Sequence, residues 1–363
     1  MKKTFALFGL LLFWYVAQSQ STGKYANEYL QIGVGARAFG MSNSVVSSTT
    51  DVTAGYWNPA GLVHLKNNIQ VGYMHSNYQA GIGNYDYGGL AFKAGDNGHM
   101  GVSFIRMGYD GIPYTLDLYK NGQLDYDKIT QFSAVDYGFL FSYGQKILKD
   151  GFSVGGNAKI IRRSAGNFVS AWGFGIDAAA MYQNEETGWN FGLTARDITS
   201  TFTAWNFNFT DAEKATLTQL NQEIPKNSLE IALPRLLAAA SKKFKFDEYS
   251  ILAEMDMDIT TDGKRNTAIH TKAFSIDPHL GLEFGYANSI FLRGGVGTIQ
   301  RVINIDDKEL WSFQPNIGVG VALDKFSLDY AMANVASVAA TNYSHVFSIR
   351  FNINSSEENS SNK

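Results

Sequence analysis

The stretch SAWGFGIDAAAMY, residues 170–182, decides the fold. Its bulkiest side chains share one parity, and two glycines and the single charge share the other: Trp172, Phe174, Ile176 and Tyr182 against Gly173, Gly175 and Asp177. Successive side chains of a β-strand point to opposite faces, so one face of this strand is apolar and the other is small or charged. This length and parity are typical of a strand that crosses a bilayer in a membrane barrel.

The same parity recurs along the chain. In SAVDYGFLFSYG, residues 133–144, Val135, Tyr137 and Phe139 oppose Asp136. A charge facing lipid costs about 2–4 kcal/mol at the bilayer midplane, so we expect the charges of these segments to face the lumen. The predicted lumen charges are Asp136, Lys159, Asp177, Glu254, Asp256, Glu283, Arg293, Asp329 and Arg350.

About fourteen segments fit this description, which predicts an all-β fold: a transmembrane antiparallel β-barrel over residues 67–353. The segments lie near 68–76, 85–94, 99–108, 132–146, 152–162, 170–182, 189–197, 231–244, 248–258, 278–287, 290–297, 311–322, 326–333 and 343–353. Two of them are ambiguous, because 231–244 also has a helical pattern and 99–108 loses its alternation near Arg106. A soluble sandwich or barrel with a polar exterior is the alternative fold.

Connections between the segments alternate between short turns and longer loops, the longer ones spanning 109–131, 197–230, 259–277 and 298–310. Barrels of the outer membrane have short periplasmic turns and long external loops, so we expect both chain ends in the periplasm. Residues 1–19 have the pattern of a signal peptide, and residues 354–363 form a polar tail. The chain has no cysteine, which excludes a disulfide scaffold and a thiolate metal site. Its net charge of −3, or −5 without Lys2 and Lys3, argues against a nucleic-acid partner.

Residues 20–66 precede the first strand and contain no alternating run, so they are predicted to form a hatch that plugs the lumen. Within VTAGYWNPAGLVHL, residues 52–65, Asn58 suits a helix cap and Pro59 the first helical position. A second short helix is expected in the longest loop, where Thr210 and Glu213 have capping-box spacing. It is either a contact surface for another protein or a lid packed on the rim.

The sequence offers little catalytic chemistry. Its six histidines are scattered, and no nucleophile elbow, P-loop or dinucleotide motif is present, so we expect a protein that is not an enzyme and that has no cofactor and no metal. Glu254, Asp256 and Asp258 share one parity. They are either a calcium or substrate site or, as the preferred interpretation, ion-pair partners of inward residues such as Arg293 and Arg350 across the lumen.

The stretch NEYLQIGVGARAFGMSNSVVSSTTDVTAGYWNPAGL, residues 27–62, closely resembles the N-terminal signature of the PorV/PorQ family. This family of outer-membrane barrels is related to the FadL fatty-acid transporters and is associated with the type IX secretion system of Bacteroidetes. AWGFGIDAAAMY and FSLDYAM extend the resemblance over nearly the whole mature chain, which looks like a PorV-like branch distinct from PorV proper. The hatch motif that carries it comprises Gly35, Ala36, Arg37, Gly40, Met41, Asn58, Pro59, Ala60 and Gly61.

The resemblance implies a secretion accessory protein without catalysis. Its partners would be outer-membrane lipids, translocon or attachment-complex proteins and the C-terminal signal domains of secreted cargo. The residues expected to contact partners from the external loops are Tyr109, Tyr114, Tyr119, Trp205, Phe207 and Phe209. The alternative is a FadL-like channel for a hydrophobic small molecule, against which the predicted lumen charges argue.

Overall fold

A computed structural model describes residues 26–78, 81–120, 123–147, 151–303, 306–335 and 343–354. The predicted signal peptide (1–19), the first residues of the predicted hatch (20–25) and residues 355–363 of the tail lie outside this part of the chain. The described residues form a closed antiparallel barrel of fourteen strands, which confirms the predicted fold class. The first and last strands close it, with Ile69 opposite Ile353.

The barrel strands are numbered β1 to β14 in chain order. They are β1 (Ile69–Tyr78), β2 (Gly83–Lys93), β3 (Gly98–Tyr114), β4 (Thr130–Lys146), β5 (Phe152–Ala165), β6 (Val169–Gln183), β7 (Trp189–Arg196 and Thr201–Phe207), β8 (Ser228–Ala232 and Arg235–Phe246), β9 (Tyr249–Thr260), β10 (Ser275–Tyr286), β11 (Ile290–Ile303), β12 (Glu309–Ala322), β13 (Phe326–Ala333) and β14 (Ser344–Ile353). The two-residue strand Ile269–His270 pairs with β10, and Tyr119–Lys120 pairs with Gln123–Leu124 in a separate hairpin.

All fourteen predicted segments coincide with strands, and the differences concern their ends. Strand structure extends into all four of the predicted long loops, because β3 continues to Tyr114, β7 resumes at Thr201, β10 begins at Ser275 and β11 runs to Ile303. The ambiguous segment 231–244 is strand. β7 and β8 are each interrupted, and Pro234 in the gap of β8 has no N–H to donate to a neighbouring strand.

The outer wall is apolar. Large apolar side chains that face away from the lumen are well exposed, including Phe174 at 59%, Leu282 at 58% and Leu292 at 59%. The inward positions of the same strands are buried against the hatch or against one another. Such a surface suits lipid, and the fold is that of an outer-membrane barrel. No helix in the described ranges is long and apolar enough to span a membrane.

The hatch, residues 26–66, fills the lumen with short helical pieces. They are a 3₁₀ turn (Glu28–Gln31), α1 (Ala36–Gly40), α2 (Ala54–Trp57) and a second 3₁₀ helix (Pro59–His64). Glu28 pairs with Arg265 at the rim that bears the long loops, whereas the carbonyl of Ala60 accepts from Ser153 near the rim of short turns. The hatch therefore runs the height of the barrel. The orientation of the two rims in the membrane stays a prediction.

Inward glycines let the hatch backbone touch the wall. A Cβ added to Gly295 on β11 would lie 2.4 Å from the carbonyl carbon of Met41, and one added to Gly155 on β5 would lie 2.5 Å from the nitrogen of Ala60. Neither distance is sterically possible without movement of the backbone. The hatch is thus fitted to this wall at a separation that only glycine permits.

We predict that Gly295→Leu displaces the hatch, because overpacking a tight contact costs about 1–3 kcal/mol. The matched control is Gly294→Leu, where an added Cβ meets nothing within 4 Å. Hydrogen exchange of residues 36–47 measures the effect: it should speed up in Gly295→Leu and stay near wild type in Gly294→Leu. Equal exchange in the two variants would refute the close contact.

Candidate functional site in the barrel lumen

A chain of alternating charges ties the hatch to the wall. It starts on the hatch, crosses four strands and returns to the hatch in the order Arg37, Glu283, Arg293, Asp329, Arg350 and Asp51. The distances are 2.9 Å from Arg37 to Glu283, 2.7 Å from Arg293 to each of Glu283 and Asp329, and 3.0 Å from Arg350 to Asp329. Three positive and three negative charges alternate, so this buried chain is neutral.

Asp51 and Arg37, the two hatch residues at the ends of the charge chain, are both held in their charged forms. Burial alone would raise the pKa of Asp51, but Arg350, the hydrogen bonds from Thr53 and the nearby Arg37 outweigh burial and hold that pKa below its usual value. For Arg37, burial lowers the pKa, and the Glu283 carboxylate more than compensates, so the net pKa is raised. Both hatch residues are therefore charged at neutral pH.

Two wall carboxylates hold the hatch by its backbone. Asp256 on β9 accepts from the N–H groups of Val45 and Val46, both at 3.0 Å, and Glu254 accepts from Ser47 N–H at 2.7 Å. Asp258 pairs instead with Arg235 on β8. The predicted ion pairing of this acidic run with inward arginines therefore holds for Asp258 alone, and the arginines named as examples, Arg293 and Arg350, are engaged in the charge chain instead.

The remaining predicted lumen charges pair along the wall. Lys159 binds Asp177 at 2.8 Å and also Asp197, which lies where β7 is interrupted. Asp197 N–H donates to Asp177 at 2.8 Å, so this ion cluster holds the irregular strand in place. Asp136 pairs with Arg163 at 2.8 Å. All nine predicted lumen charges face the interior, whereas Asp51, Arg163 and Arg235 were not among the predicted site residues.

The hatch motif lies against the wall or within the plug. Gly35 has a φ of 90° and its N–H reaches the sulfur of Met74, and Ala36 N–H donates to Ser348 at 2.8 Å. Gly40 approaches Gly318, and Met41 fits beneath Gly295. The functional role of these residues stays a prediction.

The second half of the hatch motif, residues 58–61, contains the helix cap that the sequence predicts at Asn58. Asn58 accepts from the N–H of Ala60 at 3.1 Å and so caps the helix that begins at Pro59. Its amide also donates to the carbonyls of Val46 and Ala180, at 3.1 and 3.2 Å. Gly61 leaves room for the carbonyl of Thr49. Asn58 therefore joins two parts of the hatch to β6.

Two cavities remain in the lumen, one on each side of the hatch. The cavity towards the long loops measures about 730 Å³ and is lined by aromatic and charged residues, among them Tyr29, Trp57, Tyr109, Arg163, Asp258 and Asp277. The cavity towards the short turns measures about 630 Å³, and Arg37, Asp51, Lys66, Lys243 and Glu283 are part of its lining. The charge chain thus borders the second cavity. No described residues form a cluster of three or more potential metal ligands.

The predicted partner-binding aromatics pack on the long-loop rim instead of standing free. Tyr109 lines the larger cavity, and Trp205 donates to Glu230 at 2.9 Å beneath Arg163. Phe207 and Phe209 stack at 6.3 Å, and Phe209 stacks on Phe168 at 5.6 Å. The side chain of Tyr119 lies outside the described part.

The predicted loop helix is present as α3 (Asp211–Gln219), with both hydrogen bonds of the Thr210–Glu213 capping box. Glu213 also accepts from the hydroxyl of Tyr114 at 2.5 Å. This bond docks α3 on the rim aromatics, the arrangement expected of a packed lid. Its side chains on the far side face solvent.

The pH dependence of the hatch follows from Asp51. Because its folded pKa lies below the unfolded value of about 4, ionised Asp51 stabilises the closed hatch above that pH, and the contribution is lost as pH falls through the folded pKa. We expect the protection factors of the hatch amides, which correct for the intrinsic pH dependence of exchange, to be steady from pH 8 to 5 and to fall below about pH 4. Asp51→Asn should remove this step. A variant that keeps the step would contradict the assignment.

Comparison with known proteins supports the fold. No protein-family model and no curated protein sequence matches the chain. Among solved structures, it is similar to the CymD monoaromatic hydrocarbon channel, with a TM-score of 0.56 and 12% identity over 89% of this chain and 98% of the other. The Pseudomonas putida toluene transporter TodX gives 0.56 and 11% over 88% and 98%, and the Ralstonia pickettii toluene transporter TbuX gives 0.54 and 12% over 88% and 98%.

At these identities the likeness concerns the fold alone. It extends over about nine-tenths of the chain. The neighbours themselves are named as channels and transporters. The chain shares the barrel fold of these channel and transporter structures.

Proposed function

We propose that the protein is an outer-membrane channel for small solutes that is closed by its hatch. The observation that carries this proposal is the pair of cavities, about 730 and 630 Å³, that lie on opposite sides of the hatch. Each is large enough for a small organic molecule. Displacement of the hatch would join them into one route through the barrel.

The wall residues of the charge chain would stay paired with one another if the hatch moved away. The four wall residues, Glu283, Arg293, Asp329 and Arg350, pair among themselves and sum to zero charge. Arg37 and Asp51, which would move with the hatch, also sum to zero. Removing one partner of a buried pair normally costs about 3–5 kcal/mol because it leaves an uncompensated charge. Here each wall charge keeps a partner, which lowers the cost of opening.

The lining favours a solute with an apolar and a polar part. Tyr29, Trp57 and Tyr109 supply aromatic surface to the long-loop cavity, and Arg163, Arg235 and Asp258 supply charge. The structural neighbours are named for toluene and monoaromatic hydrocarbons, which carry no charge or polar group that could pair with these charged side chains. We therefore propose small aromatic or apolar molecules that carry a polar group, instead of plain hydrocarbons, as the solute class.

The channel proposal predicts that weakening the hatch opens the barrel. In planar bilayers with KCl, Arg37→Gln/Asp51→Asn should show openings several-fold more often than wild type, and proteoliposomes should swell in benzylamine or benzoate. Glu309→Gln is the matched control, because it removes a carboxylate from an exposed pair with Arg301 on the outer wall. A double variant that stays as closed and impermeable as wild type would exclude a gated channel.

A secretion accessory role is the second candidate. The hairpin between β3 and β4 presents Leu124 and Tyr126 to solvent, at 56% and 68% exposure, and α3 stands beside it on the same rim. Such exposed apolar residues are suited to a protein contact. This interpretation would place translocon or attachment-complex proteins, or the C-terminal signal domains of secreted cargo, on the long-loop rim.

The second candidate has its own experiment. The protein, tagged on its tail, is purified in mild detergent from outer membranes of its host, and co-purifying proteins are identified by mass spectrometry. Recovery of a large translocon barrel or of secreted cargo that is lost in Leu124→Ser/Tyr126→Ser would establish the accessory role. Unchanged recovery in that variant would exclude the hairpin between β3 and β4 as the docking surface.

A further inference from the structure

A row of polar and aromatic side chains crosses the outer wall, where charges are not expected. Its six members lie on consecutive strands β1 to β6, and each is directly opposite the next: His75, Asp86, Arg106, Tyr137, Arg162 and Trp172. The inward neighbours on these strands, such as Met74, Tyr85 and Ile105, are buried, so the row faces outward. We call it the outer row.

The charges of the outer row are held in fixed positions. Asp86 accepts from Tyr73 at 3.1 Å and from Arg106 at 3.1 Å, and it lies 2.8 Å from the Nδ1 atom of His75. The guanidinium of Arg162 lies 5.1 Å from the centre of the Trp172 ring and donates to the carbonyl of Ala171. The side chains of His75 and Arg106 remain 43% and 28% exposed, and Arg162 is half-buried. Both arginines are thus oriented and still accessible.

The outer row marks the border of the apolar surface. Towards the short-turn rim, the next outward residues on β1, β3 and β5 are Tyr73, Phe104 and Ile160, and apolar or small residues continue to the rim. Towards the long-loop rim, the next outward residues are polar on four of the six strands: Asn77, Asn84, Ser164 and Ser170. An arginine is far better tolerated at such a border than at the bilayer midplane.

We infer that the outer row binds the phosphate group of a membrane lipid in the leaflet nearest the long loops. Arg106 and Arg162 lie on either side of Tyr137, about 10 Å apart at their Cα atoms from two cross-strand steps of about 5 Å. Long guanidinium side chains at this spacing can contact one phosphate, with the Tyr137 hydroxyl between them. Two arginines against Asp86 leave a net charge of +1, or +2 when His75 is protonated.

Lipid is the occupant that this position favours. The polar headgroups of a bilayer begin where the acyl region ends, which is the level at which the apolar wall gives way to the outer row. The acyl chains of the same lipid would lie on the apolar positions below it, including Phe104 and Phe139, whose rings are 5.3 Å apart. The site is outside the lumen, so it does not depend on whether the barrel conducts.

The test uses the full chain in nanodiscs of dioleoyl phosphatidylcholine with dioleoyl phosphatidic acid as the probe. Native mass spectrometry should show phosphatidic acid retained by wild type, and Arg106→Gln/Arg162→Gln should weaken retention by about tenfold or more. The matched control is Arg301→Gln, because Arg301 also faces outward, lies 4.8 Å from the ring centre of Trp311 and is distant from the outer row on β11. Retention in this control should stay within about twofold of wild type.

Each other outcome overturns the inference. Equal weakening in Arg301→Gln would mean attraction by charge alone, and unchanged retention in the double variant would mean that the outer row binds no lipid phosphate. Displacement of the lipid by inorganic phosphate at equal concentration would indicate a site for free phosphate. Heat-modifiable migration on gels checks that every variant forms a folded barrel, and Arg106→Lys/Arg162→Lys should recover part of the retention.

Discussion

The chain of six alternating charges that begins and ends on the hatch is the constraint on which the rest of the lumen depends. A fourteen-stranded barrel encloses more space than its own side chains fill, so a folded segment must occupy the interior or leave it open to water. Arg37 and Asp51 fix that segment at two points on the wall, through Glu283 and Arg350. With both points set, the strands that face the hatch need residues small enough to admit it, as at Gly295 and Gly155.

The need to pair backbone N–H groups explains why two acids are buried against the middle of the hatch. Its helices are four and five residues long, so most N–H groups between them have no helical partner. Asp256, Glu254 and Gln70 accept from Val45, Val46, Ser47 and Val52 and supply the missing partners from the wall. A buried N–H group left unpaired costs free energy, and a buried carboxylate needs hydrogen-bond donors, so each side satisfies the other. The plug and the wall therefore form one hydrogen-bonded unit.

Parity along the strands was enough to predict the fold and the inward direction of the lumen charges, because both depend on the two-residue period of a strand. It was not enough to predict which charges meet. Asp51 is on no strand, and the acids that pair with Arg293 lie on the adjacent β10 and on β13, two strands away, so its partners depend on barrel register. The gap at 197–200 was missed for a related reason: Lys159 on β5 and Asp177 on β6 stabilise the irregular backbone of β7.

The outer row shows where parity reasoning fails for a physical reason. Arg106 appeared to break the alternation of β3, yet Ile105 and Met107 are fully buried and the alternation is intact. What is unusual is the environment of the outward face, which changes from apolar to polar along the strand. A lipid-facing position is not one environment but a series of depths, and an arginine that is costly at the midplane is tolerated near the headgroups. The position of a charge along a strand is therefore as informative as its parity.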